Sequence, residues 1–149
     1  MEERQDKHFE EKVIEIKRVS RTVKGGKRIG FRALVIVGDK AGNVGIGLGK
    51  SIEVASAIRK ASSRAKKKMQ KIEITKHGSI RKEVMSQFGS AKILLRPAPE
   101  GTSIIAGGVV RSVAELSGIK NLVSKSMGSN NKINMAKATV KGLLEGCTV

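Results

Sequence analysis

Along the first fifty residues apolar side chains recur at short, β-like spacing, and from about residue 54 the spacing lengthens to three and four. Lys12 to Val23 is rich in β-prone residues (Val13, Ile14, Ile16, Val19, Val23), with Lys17, Arg18 and Arg21 between them. Ile29 to Val37 reads as a second strand. Asn43 to Gly49 reads as a third, with Val44, Ile46 and Leu48 on one face and Gly45, Gly47 and Gly49 on the other. Paired glycines in Lys24-Gly25-Gly26-Lys27-Arg28 mark a hairpin tip, and Gly38 to Gly42 a second turn. Val54, Ile58, Ala61, Ala65, Met69 and Ile72 form a helical stripe, with Ser51 as the expected cap and Glu53 in the first turn. The stripe can cover one face of the three strands, a β-β-β-α unit.

The remainder changes character. Residues 73–79 read as a junction, followed by a strand from Ile80 to Ser86 and a clearer one from Ala91 to Arg96, ended by Pro97 and Pro99. A helix is expected over Val109 to Leu116, closed by Gly118, then a strand over Ile119 to Met127. A last helix from Lys132 to Leu144 is capped by Ser129 or Asn130 and ended by Gly146. Strand, helix, strand, helix implies a βαβ unit with a terminal helix. The fold class is therefore α+β: a three-stranded antiparallel sheet with its helix, then an α/β domain. The expected divisions are a flexible tail over 1–11, an RNA-binding domain over 12–76 and a second domain over 77–149.

Charge decides what such a chain can hold. Lys and Arg number 30 against 13 Asp and Glu, a net charge of +17 in 149 residues. A surface of that sign releases counterions when it meets phosphate, so a polyanion is the natural partner. Residues 1–77 carry 20 of the cations and 9 of the acids, which places the main nucleic-acid face in the first half. With no Trp, no Tyr and three Phe, at 9, 31 and 88, a strip of stacking rings for single strands is missing. Folded or duplex RNA gripped by its backbone fits better. No apolar run reaches membrane-spanning length. The polar start lacks an apolar signal core, and the expectation is a chain that works where it is made. Cys147 is the only cysteine and reads as a buried or idle thiol.

Two cationic features stand out. Arg18, Ser20, Arg21, Lys24, Gly25, Gly26, Lys27, Arg28 and Arg32 lie on or beside the hairpin tip, with Lys50 at the end of the third strand. The tip is either an ordinary solvated loop or a cationic ridge of the width a groove admits. Arg59, Lys66 and Lys67 lie off the apolar stripe of the helix. A helix and a loop together are how duplex-RNA modules touch successive grooves.

Other motifs fail. Gly42-Asn43-Val44-Gly45-Ile46-Gly47-Leu48-Gly49-Lys50-Ser51 ends like a phosphate-binding loop, but Val44 stands where its first glycine belongs, and Lys50 breaks a dinucleotide fingerprint. The bare glycine face admits a neighbouring strand, a helix or an RNA backbone. Gly107-Gly108 before a helix is either a tight loop or an anion cradle. His8, His77, Asp6 and Asp39 form no catalytic or metal-ligating cluster, so neither an enzyme nor a metal or other cofactor is expected.

Arg18-Val19-Ser20-Arg21-Thr22-Val23-Lys24-Gly25-Gly26, Val35-Ile36-Val37-Gly38-Asp39, the glycine strand, Arg96-Pro97-Ala98, Glu100-Gly101-Thr102, Ile104-Ile105-Ala106-Gly107-Gly108, Gly118-Ile119-Lys120-Asn121 and Gly128-Ser129-Asn130 resemble, in order and spacing, the family of bacterial-type small-subunit ribosomal protein five. The resemblance implies a first domain similar to a double-stranded-RNA-binding fold and a second of the family's α/β type. It implies a ribosomal protein, in a bacterial cytoplasm or a plastid stroma, that binds small-subunit rRNA near the decoding region. Its hairpin loop, Ser20 to Lys27 here, would reach the rRNA beside the spectinomycin site. It would line the mRNA entrance and meet ribosomal proteins four and eight. Gly101, Thr102, Ser103, Gly107, Gly108 and Arg111 would face protein four, where substitutions alter decoding accuracy. Ser103 departs from a usual glycine, Lys132 from a common proline, and the chain stops at Val149, soon after its last helix.

Overall fold

The computed structural model describes residues 9–147. Among these residues eight strands and three helices follow in the order β1 (Glu10–Val23), β2 (Gly26–Gly38), β3 (Asn43–Ser51), α1 (Val54–Lys67), β4 (Gln70–Lys71), β5 (Val84–Phe88), β6 (Ala91–Pro97), β7 (Ile104–Ile105), α2 (Gly108–Ser117), β8 (Leu122–Ser126) and α3 (Lys132–Gly146). The first sheet runs β1-β2-β3-β4 and the second β5-β6-β8-β7. The expected tail lies outside the described residues up to 8, but Glu10 and Glu11 already pair with Gly38 and Val37 in β1.

A β-bulge organises the first sheet. Val13 opposes Val35 and Glu15 opposes Leu34, so Ile14 is an extra residue that reverses the alternation of β1 beyond it. Val13 and Ile16 therefore share a face with Ala33, Val35 and Val37, while Lys17 and Val19 share the other with Leu34 and Ile36.

Both faces are covered, not the single face that the sequence implied. On one side Ala33, Val35 and Val37 pack with Ala57, Ala61 and Ala65 of α1. Gly45, Gly47 and Gly49 let the helix backbone settle onto β3: an added Cβ would strike the carbonyls of Ala65, Ala61 and Ala57 in turn. The bare face thus accommodates a helix. On the other side Ile36, Val44 and Ile72 join one cluster with Ile93, Leu95, Val110, Val113, Leu122 and Leu143 of the second half. Each such side chain contributes about 1.5–3 kcal/mol relative to exposure.

The two halves also meet backbone to backbone. The amide of Lys40 donates to the Leu116 carbonyl (3.0 Å) and that of Gly42 to the Ser117 carbonyl (2.8 Å), so the β2–β3 turn caps the end of α2. Gly118 stands at φ +99, and a side chain there would hit the Lys40 carbonyl. Asp39, which has no evident partner in the sequence, shapes this turn. Its carboxylate accepts from the amides of Ala41 (2.8 Å) and Asn43 (3.1 Å) and from the Asn43 side chain (2.6 Å). Burial pushes its carboxyl up, but the bonds from Asn43 and the backbone outweigh that and leave it below the usual value.

Several expected boundaries move. α1 stops at Lys67 rather than running to Ile72, because Ile72 turns into the shared core and Gln70–Lys71 add a fourth strand beside β3. Ser51 ends β3 opposite Phe31, and Glu53 takes the N-cap without a side-chain bond. The strand expected over Ile80 to Ser86 forms at Val84–Phe88. Asn131, not Ser129 or Asn130, caps α3 through Oδ1, accepting from the amides of Ile133 and Asn134. The strands on either side of α2 in the expected βαβ unit, β6 and β8, pair antiparallel; the parallel partner of β8 is the two-residue β7. Gly118 closes α2 in the left-handed conformation, as its position implied. Cys147 is buried, and desolvation pushes its thiol up to about 11. Among the described residues no helix is long and apolar enough to cross a membrane.

The glycine floor is testable. Gly47→Ala is expected to lose about 1–3 kcal/mol or more in chemical denaturation, since helix backbone cannot yield as a side chain can. Gly107→Ala, with nothing within 4 Å of the new methyl, should stay within about 0.5 kcal/mol of the parent.

Candidate nucleic-acid interface

Burial along β2 falls steadily from base to tip. Ala33 to Gly38 are buried, Gly30 to Arg32 half-buried and Gly26 to Ile29 exposed. The outer part of the β1–β2 hairpin is a projecting finger. Even Ile16 and Ile29 are 44% exposed on it. Gly25, at φ +98, makes the reversal at the tip.

Register turns a scatter of basic residues into a grid. Lys17 opposes Arg32, and Arg32 opposes Lys50, giving a row of three cations across three strands. Neighbouring strands lie about 4.8 Å apart, so the row spans roughly 10 Å. Four residues outward along β2, about 13 Å, Arg28 lies on the same face opposite Arg21. Like charges directly across a sheet repel, and a polyanion laid over them removes that penalty. The side chain of Arg21 lies outside the described residues.

The thirteen candidates do not form one patch. Arg28, Arg32 and Lys50 share the face turned away from α1, and Lys24, Gly25 and Gly26 form the exposed tip. Arg18 (opposite Phe31), Ser20 (opposite Ile29) and Lys27 lie on the α1 side. Arg59, Lys66 and Lys67 are exposed on α1 across the sheet from the grid. Lys66 is also partly neutralised: its Nζ lies 3.1 Å from the Glu11 carboxylate, which accepts from the Ser62 hydroxyl as well. The Ser62 bond, ahead of opposing burial and the Lys66 contacts, holds the Glu11 carboxyl below its ordinary 4.5. Lys60 and Arg64 serve the fold. They donate to the Lys50 (3.3 Å) and Leu48 (2.8 Å) carbonyls along the open edge of β3. Lys17 was not among the candidates; only the bulge reveals that it joins the row.

The second candidate group lies on the loop before α2 and on its first turn. Gly101 (φ +93), Gly107, Gly108 and Arg111 are exposed, and Thr102 is half-buried with its amide bonded to the Pro99 carbonyl (3.2 Å). Arg111 Nε pairs with Glu115 at 2.9 Å. Ser103 sits at φ +71, a conformation that favours glycine. Its amide donates to Asn121 Oδ1 (3.0 Å), and Asn121 Nδ2 donates to the His77 carbonyl (2.7 Å). Buried Asn121 therefore ties this loop to the junction, a role its sequence position did not disclose. His77 faces Glu100 at 3.6 Å in the open. Among the described residues no group of His, Cys, Asp and Glu is placed to hold a metal.

A family model described as Ribosomal protein S5, N-terminal domain, matches residues 9–73, and one described as Ribosomal protein S5, C-terminal domain, matches residues 86–149. The small ribosomal subunit protein uS5 of Ureaplasma urealyticum is 52% identical over 141 residues, covering 95% of this chain and 70% of its own. That of Thermotoga petrophila is 51% identical over 143 residues, covering 96% and 80%.

Two substitutions probe these surroundings. Ser103→Gly should raise stability by about 0.5–1 kcal/mol in a denaturant titration, by relieving the left-handed backbone. Glu11→Gln should lower stability at pH 7 by less than about 1 kcal/mol. Because the native carboxyl is depressed, its contribution is present above the unfolded value and disappears as pH falls through the folded one. The gap between variant and parent midpoints should therefore close in acid below 4.5.

Proposed function

The chain belongs to the ribosomal protein S5 family, and from that premise we propose that it is a non-catalytic structural constituent of the small ribosomal subunit, holding rRNA segments in register through Lys/Arg–phosphate contacts. The observation that carries this reading is the projecting hairpin with its cross-strand row of Lys17, Arg32 and Lys50 and with Arg28 beyond it. Such a finger reaches into folded RNA while its base stays fixed in two layers of core. Three long strands backed by α1 support a likeness to double-stranded-RNA-binding folds, with the first domain over residues 12–76 and the second over 77–149.

The finer assignment follows the family. The hairpin contacts rRNA near the decoding region, and the protein lines the mRNA entrance with its neighbours. The second domain meets ribosomal proteins four and eight, and the loop from Gly101 to Arg111 faces protein four, where substitutions alter decoding accuracy. The chain works on the ribosome of a bacterial cytoplasm or plastid stroma.

Alanine at Arg21, Lys24, Lys27 and Arg28 together should weaken binding to small-subunit rRNA. It should also lower the slope of log affinity against log salt by about one for each phosphate that is no longer neutralised. An unchanged slope would contradict the hairpin assignment. In a high-salt gradient the intact chain should travel with small subunits.

A further inference from the structure

The three phenylalanines are too scattered in sequence to form a stacking strip, yet the fold gives one of them a different setting. Phe9 and Phe31 are half-buried against the α1 layer. Phe88, at the end of β5, is 39% exposed and lines a cleft of about 380 Å³ between the two halves. That volume lies in the range of small-molecule sites. One wall is β3, β4 and the end of α1, with Ile46, Gln70 and Lys68; the other is Phe88 and α3, with Lys137 and Lys141. Lys137 Nζ stands 5.3 Å from the centre of the Phe88 ring. Three lysines and no carboxylate line the cleft.

We propose that this cleft receives one unstacked nucleotide of bound RNA, its base against Phe88 and its phosphate among Lys68, Lys137 and Lys141. The proposal rests on the RNA-binding reading above and adds a second contact remote from the hairpin grid. The chemistry favours a nucleotide over other amphipathic anions. An aromatic ring beside cations suits a flat base attached to a phosphate. The Gln70 amide supplies both a donor and an acceptor for a base edge, which an acyl chain would leave unused. The site also needs both halves, since neither wall alone encloses it.

The test uses the full chain with methyl-labelled Ile, Leu and Val, titrated with AMP, with ribose 5-phosphate and with decanoate. AMP is expected to move the Ile46 and Val140 methyl signals in a saturable, salt-sensitive way, and ribose 5-phosphate to leave them nearly still. Phe88→Leu, which keeps the apolar volume, should weaken AMP by about fivefold or more. Lys137→Gln should weaken it while leaving the fold signals in place. Equal response to ribose 5-phosphate, displacement of AMP by decanoate, or undiminished AMP binding by Phe88→Leu would each overturn the proposal. The titration needs no ribosomal RNA. A silent cleft beside an intact rRNA salt slope would therefore remove this site and leave the hairpin reading standing.

Discussion

Close approach of backbone to backbone is the constraint from which the rest follows. The central strands β2 and β3 bury both faces, and a helix can lie on β3 only because Gly45, Gly47 and Gly49 leave room for its carbonyls. With that face sealed, Val44 and Ile36 on the opposite face are free to complete the core of the second half. The same principle recurs where Gly38 and Gly118 allow the β2–β3 turn to seat on the end of α2. Hydrophobic burial supplies most of the stabilisation, but glycine decides which surfaces are able to meet.

The charge pattern can be understood on that frame. Some cations of α1 serve the fold: Lys66 pairs with Glu11, and Lys60 and Arg64 cover the β3 edge. On the projecting hairpin Lys17 and Arg32 stand in register with each other and with Lys50, and Arg21 with Arg28. An isolated sheet would be destabilised by such a row. The arrangement makes sense in the presence of phosphate, and the net charge of +17 points to the same partner.

The outlines of this were legible in the sequence, because period-two and period-four patterns follow directly from strand and helix geometry. The three long strands, α1, α2 and α3 could all be located, as could Gly118 as a helix end. What was hidden depended on long-range pairing. The Ile14 bulge leaves no composition signal, so the face of Lys17 could not be assigned. Ile72 continues the stripe of α1 by spacing, yet tertiary packing draws it into another cluster. β4 and β7 are two residues each and exist only because a partner strand lies alongside. The candidate residues on the hairpin thus lie on one segment but on different faces of it, a division that only the strand register reveals.

The hydrogen bonds from Lys40 and Gly42 to Leu116 and Ser117 carry a consequence for biogenesis. A polypeptide emerges N-terminus first, so this turn is already exposed when the last residues of α2 leave the exit tunnel. The amides that meet the last carbonyls of the later helix thus belong to the segment made first.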